Sequence, residues 1–94
     1  IILDPGFGFS KTPEQNIELL MRLREFANLG YPVLAGLSRK STIGKLTGIK
    51  DAASRMPGSL AALTAAILAG ADIVRVHDVA ESVQAAKVAD ALRA

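Results

Sequence analysis

Ser38-Arg39-Lys40-Ser41 follows the apolar run Pro32-Val33-Leu34-Ala35-Gly36-Leu37. Two adjacent cations between hydroxyls at the tip of an interior strand suit an anion or a polar ring. A phosphate loop of the G-x-x-x-x-G-K-[ST] type does not fit, because Arg39 stands where that pattern has its second Gly. On spacing alone, a solvated helix start accounts for the stretch equally well, with Ser41 or Thr42 as cap and both cations exposed. Further along, Arg75 and His77 stand two apart in Ile73-Val74-Arg75-Val76-His77-Asp78. On a strand that spacing places both on one face, where Arg offers a bidentate fork and His a second donor to one anion. The alternative is an Arg paired with a carboxylate beside a His satisfied by backbone. Asp4 closes Ile1-Ile2-Leu3-Asp4 before Pro5-Gly6. It reads as an Asx residue capping the turn, or as an acceptor for a ring with adjacent N–H groups. Phe7 and Phe9 are loop anchors packed on the body or platforms for a ligand, and Gly6 and Gly8 allow close approach. His77 is the only histidine, and no H-E-x-x-H or Asp/His cluster supplies a dedicated metal site. No G-x-S-x-G elbow supports covalent serine chemistry.

The elements that must position these residues alternate along the chain. Residues 1–4 read as a short strand. Thr12 as N-cap, Pro13 at the first helical position and Gln15 closing a capping box then start a helix. Ile17, Leu20, Met21, Leu23, Phe26 and Ala27 carry it at helical spacing to a stop at Gly30. The spacing predicts a strand over 33–37, a short helix over 41–46 ended by Thr47-Gly48, and a looser polar connection over 49–56. An alanine-rich helix is expected from Pro57 or Gly58 to Ala69, with Gly70 closing it. A strand over 73–77 follows, then a last helix opened by Asp78 as N-cap with Glu81 at N3.

This β-α-β-α-β-α order implies a parallel sheet with right-handed crossovers. The strand exits collect Asp4, the Ser38 to Ser41 tip and Arg75 to Asp78, on the side where parallel α/β folds bind ligands. In the last strand Val74 and Val76 share an apolar face suited to helices, whereas Ile73, Arg75 and His77 share the other. A face bearing Arg and His suits the mouth of a barrel interior better than an open sheet covered on both sides. The expected class is therefore α/β: three consecutive βα units of a TIM (β/α)8 barrel with parallel strands. Such barrels run to ~250 residues, so the chain corresponds to roughly three-eighths of one. The whole of 1–94 reads as a single partial domain, and its apolar start without Met suggests a piece of a longer protein.

Composition narrows the functional class. Of 94 residues 50% are hydrophobic and 21% charged, enough to bury a core. A formal charge of +2 spread along the chain is weak support for nucleic acid despite a pI near 9.3. The absence of cysteine removes disulfides and thiolate metal sites and fits a reducing cytoplasm. The apolar runs fall far short of the roughly 20 residues that span a bilayer.

Taken together, Leu3-Asp4-Pro5-Gly6-Phe7-Gly8-Phe9, Gly36-Leu37-Ser38-Arg39-Lys40-Ser41, Gly58-Ser59 and Val74-Arg75-Val76-His77-Asp78 closely resemble the C-terminal part of the dihydropteroate synthase family of the folate pathway. The order and spacing match across the chain, with no departure at the motif positions. The resemblance implies a cytoplasmic TIM-barrel transferase, a sulfonamide target. It condenses 6-hydroxymethyl-7,8-dihydropterin diphosphate with 4-aminobenzoate and releases pyrophosphate and 7,8-dihydropteroate. It implies that Asp4 accepts from the pterin ring, Lys40 contacts its carbonyl side, Phe9 packs on the aminobenzoate and Ser41 holds its carboxylate. Arg75 and His77 would grip the leaving pyrophosphate, with Mg²⁺ as an aid whose ligands lie mainly outside this chain. A homodimer using the last helices, and little activity without the family's N-terminal half, are also implied. The rival is the pterin-binding barrel of a methyltetrahydrofolate:corrinoid methyltransferase, whose substrate has no diphosphate for Arg75 and His77 to hold. A non-catalytic chain serving oligomer contact is the rival from another class, and the dense polar strand ends disfavour it.

Overall fold

In the computed structural model, which describes residues 1–7, 12–37 and 41–93 apart from the Ser41 side chain, the three strand segments lie side by side and parallel. Leu3 N–H donates to Pro32 O and Leu34 N–H to Leu3 O, both at 2.8 Å, so the first segment joins the second through a Leu3 to Val33 bridge. The second, β1 (Leu34–Ala35), pairs with β2 (Ile73–Val74) in the register Leu34 to Ile73 and Ala35 to Val74. The regular ladder is shorter than the expected strands at 1–4, 33–37 and 73–77. Among the described residues both outer segments have a partner on one side only. One bond continues upward, from Arg75 N–H to Ala35 O at 3.0 Å.

This register separates the two faces. Leu3, Val33, Ala35, Leu37, Val74 and Val76 point towards the helices. Phe7, Leu23, Val33, Ala35, Leu37, Ala66 and Ala71 form one buried cluster, and Val74 and Val76 pack on a second made of Leu63, Ile67 and Ala89. The opposite face carries Ile2, Leu34, Gly36, Ile73, Arg75 and His77, with Ile2 55% and Ile73 37% exposed.

The helices start where local chemistry directs. For α1 (Pro13–Met21) the capping box forms in full: Gln15 N–H donates to Thr12 Oγ1 at 3.2 Å and Thr12 N–H to Gln15 Oε1 at 2.9 Å. The expected single helix divides, however, and α2 (Leu23–Ala27) begins after a break at Arg22. There Glu25 N–H bonds Arg22 O, a tighter three-residue step, while the exposed Arg22 guanidinium bonds Glu25 at 2.8 Å and faces Glu18 at 3.7 Å. Glu25 first, then Glu18, raise the Arg22 pKa above its ordinary value. The apolar stripe continues through the break, and Leu23 is completely buried.

Beyond the polar tip, α3 is Ser41–Thr47 and α4 is Met56–Leu68. Between them the connection holds a 3-10 turn, Ala52–Ser54, because Asp51 accepts from Ala53 N–H and Ser54 Oγ. Arg55 then donates to the carbonyls of Ile49 and Lys50 and fixes the approach to α4. Gly58 lets α4 approach α3 closely, since a Cβ there would stand 2.6 Å from Ile43 Cγ2. Gly70 ends the helix at φ +115°, and a Cβ there would meet Ala27 Cβ at 2.7 Å. Finally α5 (Val79–Arg93) packs along α4, and Arg93 donates to Ile67 O and Ala71 O at the end of the sheet opposite the strand exits.

Candidate functional site

Arg75, two residues past Ile73 on the face away from the helices, is exposed, and its guanidinium has no hydrogen-bond or ion-pair partner among the described residues. Its side chain lies over the neighbouring strand at Gly36, where a Cβ would stand 3.7 Å from both Arg75 Cβ and Arg75 Nη1. At that distance a Cβ at position 36 would make ordinary van der Waals contact with Arg75. His77 is exposed at the next position on that face. Exposure alternates from Ile73 to His77, the pattern that a period of two gives. No carboxylate pairs with Arg75 among the described residues, whereas His77 does have a partner.

Asp4 lies two strands away, at the level of Leu34 and Ile73 by the ladder register. Its Oδ1 accepts from Gly6 N–H at 2.9 Å, which establishes the Asx turn, while Oδ2 has no partner among the described residues. The turn and an acceptor role are compatible, since each uses a different oxygen. With strands ~4.8 Å apart and a rise of ~3.3 Å per residue, the Cα atoms of Asp4 and Arg75 are roughly 12 Å apart.

Phe7 is 1% exposed and belongs to the core, so it is an anchor. Ser41 opens α3 by its backbone. Phe9, Ser38, Arg39, Lys40 and the Ser41 side chain lie outside the described residues, and their expected roles stay expectations. Sequence reasoning missed a link between α1 and α3: Asn16 Nδ2 donates to Thr42 Oγ1 at 2.8 Å, with the two residues 2% and 5% exposed. A signal existed, because Asn16, Leu20 and Leu23 share one helical stripe and a polar residue in an apolar stripe needs a partner. The Gly36 to Arg75 contact had none, because it depends on cross-strand register.

Among the described residues no group of three His, Cys, Asp or Glu side chains could hold a metal ion. No described helix is long and apolar enough to cross a membrane.

Parallel strands with helices packed on one face define a segment of a (β/α) barrel. The chain belongs to the family described as pterin binding enzyme, whose model matches residues 1–77. A dihydropteroate synthase of Synechocystis is 58% identical over 98% of this chain, which covers 32% of that protein. Two solved structures of the Thermus thermophilus dihydropteroate synthase superpose over nearly the whole chain. The complex with 4-aminobenzoate has a TM-score of 0.92 at 53% identity, over 97% of this chain and 35% of that one. The complex with 6HMPPP has a TM-score of 0.93 at 52% identity, over 99% and 37%. The chain thus spans about a third of the length of the relatives it matches, and its fold is three βα units of a TIM barrel.

Proposed function

We propose that this chain forms the diphosphate-binding third of a dihydropteroate synthase, which joins a dihydropterin diphosphate to 4-aminobenzoate. The observation that carries the reading is the exposed Arg75 guanidinium, unpaired among the described residues, within a fold matching synthases solved with 4-aminobenzoate and with 6HMPPP. The chemistry needs that cradle. When the bond between the pterin methylene carbon and the diphosphate oxygen breaks, the electron pair leaves with pyrophosphate and the ring stabilises the cation left behind. The 4-aminobenzoate nitrogen then bonds to that carbon and loses a proton. Donors placed where negative charge develops lower the barrier, and no covalent nucleophile is required.

Arg75 and His77 take the leaving group. Asp4, through Oδ2, accepts from the pterin N–H groups, and Lys40 addresses the carbonyl side of the ring. Phe9 and Ser41 bind the aminobenzoate ring and carboxylate. Mg²⁺ would neutralise the diphosphate, but no described residues gather to hold it, and no step here depends on it. A cytoplasmic homodimer completes the proposal, supported by Val88 and Leu92, which leave α5 apolar on its outer side at 61% and 70% exposure.

Arg75→Ala in the gene product that carries this chain tests the reading through pyrophosphate binding. Loss of charge-assisted hydrogen bonds predicts a fall on the order of 10- to 100-fold in pyrophosphate affinity. Unchanged affinity and turnover would remove the assignment. A wild-type protein that does not bind pyrophosphate would instead favour the corrinoid methyltransferase relative, whose substrate lacks the diphosphate.

A further inference from the structure

We propose that Gly36 is a positioning residue for the diphosphate site, acting through Arg75; this deepens, and rests on, the synthase reading. Gly36 directly follows β1, and Arg75 N–H donates to Ala35 O at 3.0 Å, so the two residues are cross-strand neighbours one step beyond the pair Ala35 to Val74. Both stand on the face away from the helices, yet Gly36 is buried. Among the described residues other than its chain neighbours, the only heavy atoms within 4 Å of a Cβ at position 36 are Arg75 Cβ and Arg75 Nη1, both at 3.7 Å. One is the first atom of that side chain and the other lies at its tip. A side chain equally close at both ends passes over Gly36 instead of away from it. Because β1 lies between β2 and the Leu3 segment, the guanidinium is carried towards the middle of the sheet, on the side that bears Asp4.

The backbone does not call for glycine here. Gly36 is not one of the described glycines with positive φ, which are Gly6, Gly30, Gly48 and Gly70, and a Cβ would meet its neighbour at ordinary contact distance. That separates it from Gly58 and Gly70, where a Cβ would stand 2.6 and 2.7 Å from a packed side chain. Glycine loses more conformational freedom on folding than any other residue, so without such a demand alanine would be the more stable choice. What glycine supplies is the room beyond the Cβ. Any γ atoms, set roughly 1.5 Å further out, compete with the guanidinium for the side of the sheet that it crosses. A displaced guanidinium loses the fixed fork that holds an anion by two parallel bonds.

Gly36→Ala, Gly36→Ser and Gly36→Val, with Gly36→Val also combined with Arg75→Ala, test this in the gene product that carries this chain, through pyrophosphate binding and urea unfolding. The loss of affinity should grow from Ala through Ser to Val and reach about tenfold for Gly36→Val, the size of one net hydrogen bond, while the urea midpoint stays at or above that of wild type. In the double variant the affinity should equal that of Arg75→Ala alone, because the glycine acts only through that guanidinium. Unchanged affinity in Gly36→Val overturns the proposal. So does a double variant that binds more weakly than Arg75→Ala, which would mean that the new side chain blocks the anion itself. A urea midpoint that falls in step with affinity would make Gly36 a packing residue and overturn it too. Should Gly36→Val not fold, Gly36→Ser, alone and with Arg75→Ala, decides by the same comparisons. A wild-type gene product that binds no pyrophosphate, or one whose binding survives Arg75→Ala, overturns the diphosphate reading itself; binding lost with Arg75→Ala but kept in every Gly36 variant overturns only this inference.

Discussion

In the proposed synthase Asp4 would serve two purposes with two oxygens, and that division can be tested at a single atom. Oδ1 closes the turn onto Gly6 N–H, while Oδ2 is left to accept from a ligand. Asp4→Asn keeps a carbonyl oxygen for the turn but replaces the second acceptor with a donor. Urea unfolding should therefore change by less than about 1 kcal/mol, whereas the KM for dihydropterin diphosphate should rise at least tenfold, since hydrogen bonds to charged groups contribute about 1.5–3 kcal/mol. A variant that keeps its KM but loses stability would reduce Asp4 to a turn residue. The alternation of Arg75, Val76 and His77 made their shared face legible in sequence, because a strand has a period of two wherever it sits. Gly36 was not legible as their neighbour. Its contact with Arg75 arises from the pairing of Ala35 with Val74, and no local pattern encodes which residues of two distant strands meet.

The helices were readable wherever their ends are made by short-range hydrogen bonds. Thr12 and Gln15 bond each other's backbone, so the start of α1 needs nothing from the rest of the chain. The break at Arg22 leaves no mark in the sequence because the apolar stripe passes through it, and the regular strands are shorter than their apolar runs, even β1 with a partner on each side. The cap also has a consequence that separates the two halves of the site. Thr12→Ala removes the side-chain acceptor and should cost about 1 kcal/mol in chemical denaturation. Pyrophosphate affinity should not change, because Arg75 and His77 are carried by β2 and its extension, on the far side of β1. An equal loss in both measurements would mean that the start of α1 supports the anion cradle directly.

At the scale of the molecule, the sheet has helices on one side only. Its accessible surface is 5683 Å², against ~5,200 Å² expected for a folded monomer of this mass. On the uncovered face Ile2 and Ile73 are 55% and 37% exposed beside Leu34. In a TIM barrel this face is interior, filled by layers of side chains from alternate strands. The outer edges of the Leu3 segment and of β2 likewise present unpaired backbone groups within the described residues. A chain of residues 1–94 expressed by itself should therefore self-associate, bind a hydrophobic dye strongly, unfold over a broad urea range and show no measurable synthase turnover. Light scattering, dye fluorescence and denaturation of the isolated chain check the first three, and a dihydropteroate assay checks the last. A monodisperse monomer with one sharp transition would show that three βα units bury enough to fold independently. Turnover approaching that of a full-length synthase would show that the groups on this third suffice for the chemistry. The expected failure has a physical cause: in the proposed reaction Arg75 and His77 would hold the leaving group from one side only, and a reaction that passes through a cation needs its ring enclosed and water excluded.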